Sequence, residues 1–206
     1  MKRLYLLRHG QTEFNVKKLV QGRCDSPLTD LGRQQAQAPA EWLKAHGVVP
    51  DKVVSSPLGR AMDTASLVAC EILGPDATVE PCEGIIERGY GTFEEGPHDA
   101  LPTDVWDPGE DLVPFGGEGS RALQERMVDT LTNLMGAEGI ETLLAVSHGS
   151  ASRQFIKAAV PEGFELPAKL PNCAIMIFDF DDAREEDDTP QCKFTLQQIV
   201  DPQQSH

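Results

Sequence analysis

Two short apolar runs in this chain end in the same way. Leu4-Tyr5-Leu6-Leu7 runs into Arg8-His9-Gly10, and Leu143-Leu144-Ala145-Val146 runs into Ser147-His148-Gly149. Short apolar runs bounded by turn signals read as buried strands. A cation beside an imidazole at the end of a buried strand is costly unless something compensates it. Ligands of open α/β sheets bind beyond the carboxyl ends of the strands, so both turns would deliver an imidazole to that edge. Gly10 would let the backbone turn sharply or come close to a neighbour there. A third strand end lies between the two. Lys52-Val53-Val54-Ser55 reads as a strand, and Ser56-Pro57-Leu58-Gly59-Arg60-Ala61 as a helix start, with Ser56 as N-cap and Pro57 at the first helical position. Arg60 then falls in or next to the first turn, where the helix dipole disfavours a cation and a bound anion would resolve the conflict. Arg8, His9, Arg60 and His148 together best suit a phosphoryl group.

The rest of the pattern extends this alternation. Helices are expected over 30–46, 57–73, 120–135 and 150–160, and further strands over 78–82, 173–179 and 192–199. Strand and helix in alternation predict a three-layer α/β/α fold with a mostly parallel central sheet. Thr29 is the expected N-cap of the first helix, with Ala36, Ala40, Leu43 and Trp42 on its buried side, and Pro39 inside it is expected to kink it. Residues 10–28 read as a loop. Residues 88–117 break the rhythm with several Gly and Pro and the aromatics Trp106 and Phe115; they read as a lid insertion over the active-site edge. A chain of 206 residues is read as one domain carrying this lid. The charge run 181–188 lacks calcium-loop spacing and reads as a solvated hairpin loop.

Composition narrows the partners. A formal net charge of −15 argues against nucleic acid and against an anionic membrane as general binding partners. No apolar run approaches the length of a membrane span. The five cysteines, Cys24, Cys70, Cys82, Cys173 and Cys192, are odd in number and show no paired C-x-x-C pattern, so free thiols and a cytoplasmic location are expected. A homodimer is the default assembly.

These residues carry a resemblance to the histidine phosphatase superfamily, the phosphoglycerate mutase-like proteins. Arg8-His9-Gly10 with Asn15 beyond it resembles the signature of that family. The likeness continues in 21–32, in 55–61, in Glu87-Arg88-Gly89-Tyr90-Gly91 and in Ser147-His148-Gly149. Five blocks in the family's order span most of the chain.

His9 is the candidate nucleophile, since a neutral imidazole nitrogen can attack phosphorus and hold the phosphoryl group covalently. The resemblance implies the same phosphohistidine. Arg8 and Arg60 would grip non-bridging oxygens and stabilise transition-state charge, with His148 donating from the other side. Glu87 follows the apolar pair Ile85-Ile86; partial desolvation would suit it to general acid work. The resemblance implies the same role, with Glu13, Glu94 and Glu95 as rivals. Asn15, Gln21, Gly22 and Gly149 would add substrate contacts. Two arginines in one site repel a cation, so neither a metal nor another cofactor is expected.

The expected partner is a small phosphorylated metabolite. The resemblance implies either a phosphatase or a cofactor-dependent phosphoglycerate mutase, whose family members carry Arg and Lys after the proton donor. Here residues 89–120 hold no Arg or Lys and eight carboxylates: Glu94, Glu95, Asp99, Asp104, Asp107, Glu110, Asp111 and Glu118. An acidic lid would reject a bisphosphate, which favours the phosphatase. A non-catalytic binding module on the same fold is the third reading, and the presence of His9, Arg8 and Arg60 weighs against it.

Overall fold

The computed structural model describes residues 1–159, 166–167, 169–182 and 193–204. In its first half β1 spans Lys2–Arg8, α1 Glu13–Lys17, α2 Asp30–Gln35, α3 Gln37–Ala45, β2 Lys52–Ser55, α4 Gly59–Leu73 and β3 Glu80–Pro81. In its second half α5 spans Ser120–Met135, β4 Thr142–Ser147, α6 Gly149–Ala159, β5 Ile175–Phe180 and β6 Phe194–Val200. The six strands form one sheet in the order β3-β2-β4-β1-β5-β6. The first four are mutually parallel; β5 pairs antiparallel with β1, and β6 pairs antiparallel with β5 at the sheet edge. The fold is α/β with a mostly parallel sheet.

Side-chain alternation along the strands builds two cores. Leu4 and Leu6 of β1 join Leu143 and Ala145 of β4 against Leu123, Met127 and Leu131 of α5 and Phe155 of α6. Tyr5 and Leu7 join Leu144 and Val146 against Ala40 and Leu43 of α3 and Ala61, Ala65 and Val68 of α4. Both faces of these strands are therefore covered, which is why they read as unbroken apolar runs. A third, smaller cluster of Val20, Tyr90, Leu101 and Leu112 holds the segment after Glu87 together over the carboxyl edge of the sheet.

The structure departs from the sequence reading in several places. The helix expected over 30–46 is two helices joined at Ala36. Pro39 cannot donate to the carbonyl of Gln35, so α2 stops at Gln35 and Pro39 sits in the first turn of α3, where no donor is needed. Thr29 caps α2 as expected, its side chain accepting from Gly32 N. Residues 10–28 contain a helix, α1, closed by a capping box between Thr12 and Asn15. Ser56 is not an N-cap: α4 begins at Gly59 after Leu58 and has no side-chain cap. The strand expected over 78–82 shortens to Glu80–Pro81, where a proline at the sheet edge ends the ladder. Val160, the start of the last strand at Cys192 and residues 183–188 of the charge run lie outside the described residues.

Candidate active site

Register places the three strand ends together. Arg8 pairs with Ser147 across β1 and β4, and Ser55 pairs with Val146 across β2 and β4. The next residues, His9, His148 and Ser56, therefore leave the sheet at one edge. The backbone pins them there: His9 N donates to Ser147 O at 3.1 Å and Ser56 N to Val146 O at 2.9 Å. Gly10 is needed for close approach, since a Cβ there would lie 2.4 Å from the carbonyl oxygen of Gly32.

Arg8, His9, Arg60, Glu87 and His148 are all buried, and the structure brings them into one cluster. His9 Nδ1 lies 2.7 Å from the carbonyl oxygen of Gly10. A carbonyl only accepts, so Nδ1 carries the proton and Nε2 keeps its lone pair. Burial first, then the charges of Arg60 and Arg8, push the pKa of His9 well below its ordinary value. His148 is pushed down in the same way, by burial and then by Arg60, His9 and Arg8. Both imidazoles are neutral at pH 7. Desolvation also lowers the Arg8 guanidinium to about 10, which leaves it charged.

Arg60 enters from the first turn of α4, as its sequence position predicts. Its forked end is occupied by backbone: Nη1 donates to Cys24 O at 2.8 Å and Nη2 to Gly22 O at 2.7 Å. It thus anchors the loop that carries Gln21 and Gly22. Arg8 donates through Nη1 to Leu170 O, and its Cζ lies 5.2 Å from the ring centre of Trp106. Three buried polar atoms in the cluster lack a partner: Arg8 Nε, Arg60 Nε and His148 Nδ1. Unpaired buried donors around two fixed positive charges make an anion site.

Glu87 lies outside the helices, and its carboxylate is held against the amino end of α6. Its Oε1 accepts from Arg88 N and Ala151 N, both at 2.8 Å, and Oε2 accepts from Ser150 N at 3.3 Å. Oε2, with only one long contact, is the oxygen able to exchange a proton. The rivals are placed differently. Glu13 is half-buried and paired with Lys17 at 3.4 Å. Glu94 accepts from Tyr90 N at 2.9 Å and Arg23 N at 3.1 Å. Of Glu87 and its rivals Glu13, Glu94 and Glu95, only Glu87 lines the pocket.

The pocket is a narrow cleft of about 50 Å³ lined by Arg8, His9, Asn15, Gln21, Gly22, Glu87 and Gly149. Leu19, Val20, Tyr90, Val105 and Trp106 form its apolar wall. His148 and Arg60 lie behind this lining. Asn15 Oδ1 accepts from Thr12 N at 3.2 Å and Asn172 Nδ2 at 3.3 Å, which turns its NH2 end into a donor for the cleft. A larger cavity of about 440 Å³ lies at the amino end of β1, lined by Lys2, Glu141, Asp179 and Asp182 but by no imidazole. Among the described residues no three His, Cys, Asp or Glu side chains are grouped as metal ligands. No helix among them is long and apolar enough to cross a membrane.

The lid carboxylates do not line this cleft, contrary to the expectation of an acidic mouth. Glu118 is paired with Arg126 at 2.7 Å and Arg23 at 3.3 Å, and Asp107 with Lys157. Cations from outside residues 89–120 thus pair with two of the eight carboxylates, which a count within the segment could not see. Sequence reasoning also missed two residues. Ser56 presents Oγ 2.7 Å from His148 Nε2. The fully buried Arg88 donates to Ser150 Oγ at 3.0 Å, Glu118 O at 2.7 Å and Ser120 Oγ at 2.8 Å. The polar spacing around Arg88 gave no signal, because its partners are mostly backbone and hydroxyl oxygens far along the chain.

A mostly parallel α/β sheet with two neutral imidazoles and two buried guanidiniums at its carboxyl edge defines a phosphoglycerate mutase-like phosphoryl-transfer protein. The chain belongs to the histidine phosphatase superfamily (branch 1), whose sequence pattern matches residues 4–189. It is 34% identical over 166 residues to a broad-specificity phosphatase of Saccharomyces cerevisiae, covering 75% of this chain and 69% of that one. It is 32% identical over 186 residues to the Proteus mirabilis protein named "Probable phosphoglycerate mutase GpmB", covering 87% and 86%. Among solved structures it resembles a phosphoserine phosphatase from Entamoeba histolytica in complex with phosphoserine, at 28% identity and TM-score 0.75 over 98% of both chains.

Proposed function

We propose that this chain is a phosphatase of small phosphomonoesters that works through a phosphohistidine at His9. The observation that carries the reading is the state of His9: buried, neutral, with Nδ1 committed to Gly10 O and Nε2 left as a nucleophile. Nε2 attacks phosphorus and the bond to the ester oxygen breaks. The leaving oxygen takes a proton from Glu87 Oε2. Water then attacks the phosphohistidine, Glu87 takes back a proton, and the P–N bond breaks to release inorganic phosphate. Arg8 and His148 supply hydrogen bonds to the transferring group, and Arg60 adds charge from behind. The residues need no metal for this, because two guanidiniums already provide positive charge.

The choice of water over a second phosphorylated acceptor rests on the pocket wall. Beyond Arg8, the cleft is lined by no Arg or Lys, and its outer wall is apolar apart from His98, whose Nε2 lies 3.1 Å from Leu19 O. A mutase must hold a second phosphate and a carboxylate, and this wall offers no Arg or Lys to either. The yeast relative's name agrees with a phosphatase, and the bound phosphoserine of the Entamoeba structure agrees with a small monophosphate as substrate. The mutase is the second reading, favoured by the name of the Proteus relative. The proposal also places the chain in the cytoplasm, in keeping with the free thiols of Cys24, Cys70, Cys82 and Cys173, and takes a homodimer as the default assembly.

The test is to supply 3-phosphoglycerate and a set of small monophosphates and to follow both released phosphate and isomerised product. Phosphate release from monophosphates supports the proposal. Efficient interconversion of 2- and 3-phosphoglycerate with little phosphate released would replace it with the mutase.

A further inference from the structure

We propose that Ser56 is a positioning residue that fixes His148 as the tautomer able to donate to a phosphoryl group. The inference rests on the phosphoryl reading of the pocket, and it assigns a role to a side chain that lines no part of the cleft. Ser56 is fully buried at the end of β2. Its Oγ lies 2.7 Å from His148 Nε2 and accepts from Leu58 N at 3.4 Å. The hydroxyl has one proton to give. Accepting from Leu58 N leaves that proton free, and the His148 Nε2 lone pair at 2.7 Å is an acceptor within reach of it.

If Ser56 donates to Nε2, a neutral His148 must carry its own proton on Nδ1. That nitrogen is buried and has no partner. It sits in the cluster with His9, Arg8 and Arg60, whose charges and burial keep His148 neutral. A neutral ring has only one N–H, so its location decides what the residue can do. On Nδ1 it meets an incoming phosphoryl oxygen as a donor. On Nε2 it would be spent on Ser56, and a bare lone pair would face the anion instead. Two lone pairs facing each other repel, so the second arrangement opposes substrate binding. The remaining ring atoms are constrained as well, since the His148 ring meets the His9 ring edge to face at 5.1 Å between centroids. Flipping the ring would keep this ring contact but replace Nε2 by a carbon opposite Ser56 Oγ, losing the 2.7 Å hydrogen bond.

Long-range proton–nitrogen NMR of the 15N-histidine-labelled full chain reads the tautomer directly and needs no variant. The expected spectrum shows His148 with a pyrrole-type Nδ1 and a pyridine-type Nε2; the reverse pattern overturns the proposal while leaving the phosphatase reading standing. In Ser56→Ala, His148 should lose this single pattern and show mixed or reversed nitrogens, and kcat on nitrophenyl phosphate should fall about 100-fold, the low end of the cost of an oxyanion donor lost. Ser56→Thr, which keeps the hydroxyl, should restore the wild-type nitrogen pattern and most of the rate. An unchanged tautomer in Ser56→Ala would show that Ser56 does not set it. If Ser56→Ala fails to fold, the wild-type spectrum and the Ser56→Thr pair still decide the matter.

Discussion

The imidazole rings of His9 and His148 meet edge to face with their centroids 5.1 Å apart, each residue following the end of a different strand of the sheet. Two cationic imidazoles could not share that space, and the flanking Arg8 and Arg60 make protonation costlier still. The pair is therefore a pair of neutral rings, one suited to attack and one to donate.

That state has a signed consequence for pH. Both folded-state pKa values are depressed, so below the unfolded value of about 6.5 the unfolded chain binds more protons than the folded one. Stability from this pair is present above that pH and is lost as pH falls further. Urea midpoints should drop from pH 7.5 to pH 5. The acid limb of kcat/KM should lie below 6.5, because His9 stays unprotonated there. Arg60→Met removes one charge that depresses His9 and should move the limb upward. A wild-type limb centred at 6.5 would mean that His9 is not held neutral.

Glu87→Gln separates proton donation from binding. The amide can keep its oxygen where Oε1 accepts from Arg88 N and Ala151 N, so only the 3.3 Å contact from Ser150 N is lost. Structure should survive, while alkyl phosphates should lose about 100-fold or more in rate. Nitrophenyl phosphate, whose leaving group departs without a proton, should lose far less. Equal losses on the two substrates would take the role from Glu87.

Gly149 marks where the lid meets the site. A Cβ there would lie 2.7 Å from Trp106 Cζ3 and 3.3 Å from Arg8 Nε. Gly149→Ala should push the indole off Arg8, costing about 1–3 kcal/mol as overpacking and weakening phosphate inhibition. In a Trp106→Ala background the same substitution should cost much less, since the clash is gone. Strictly additive effects in that double-mutant cycle would show that the two groups do not meet in solution.

Activity should survive exhaustive treatment with a chelator. The expected residual rate is that of the untreated enzyme. Loss of activity that zinc or magnesium restores would assign to a metal the charge here given to Arg8 and Arg60.

Much of this was legible in the sequence because strand ends are local features. The runs 4–7 and 143–146 each announced a buried strand and the turn that follows it, and β4 and α5 fall where their patterns put them. Pro39 announced a kink within one helix, where the structure instead has two helices, α2 and α3. What stayed hidden depends on contacts between distant residues. Ser56 looked like a helix cap because its local neighbours are those of a cap, yet its hydroxyl partner, His148, is 92 residues away. The lid carboxylates looked like a repulsive rim, but Arg126, Arg23 and Lys157 come from outside that segment to pair with Glu118 and Asp107.

The most direct measurement is to mix the enzyme with a radiolabelled small monophosphate, quench within milliseconds and map the label. The account predicts an acid-labile, base-stable phosphoryl group on the peptide carrying His9, absent in His9→Ala, which decays to inorganic phosphate in water. No covalent label, or a label on another residue, would contradict it.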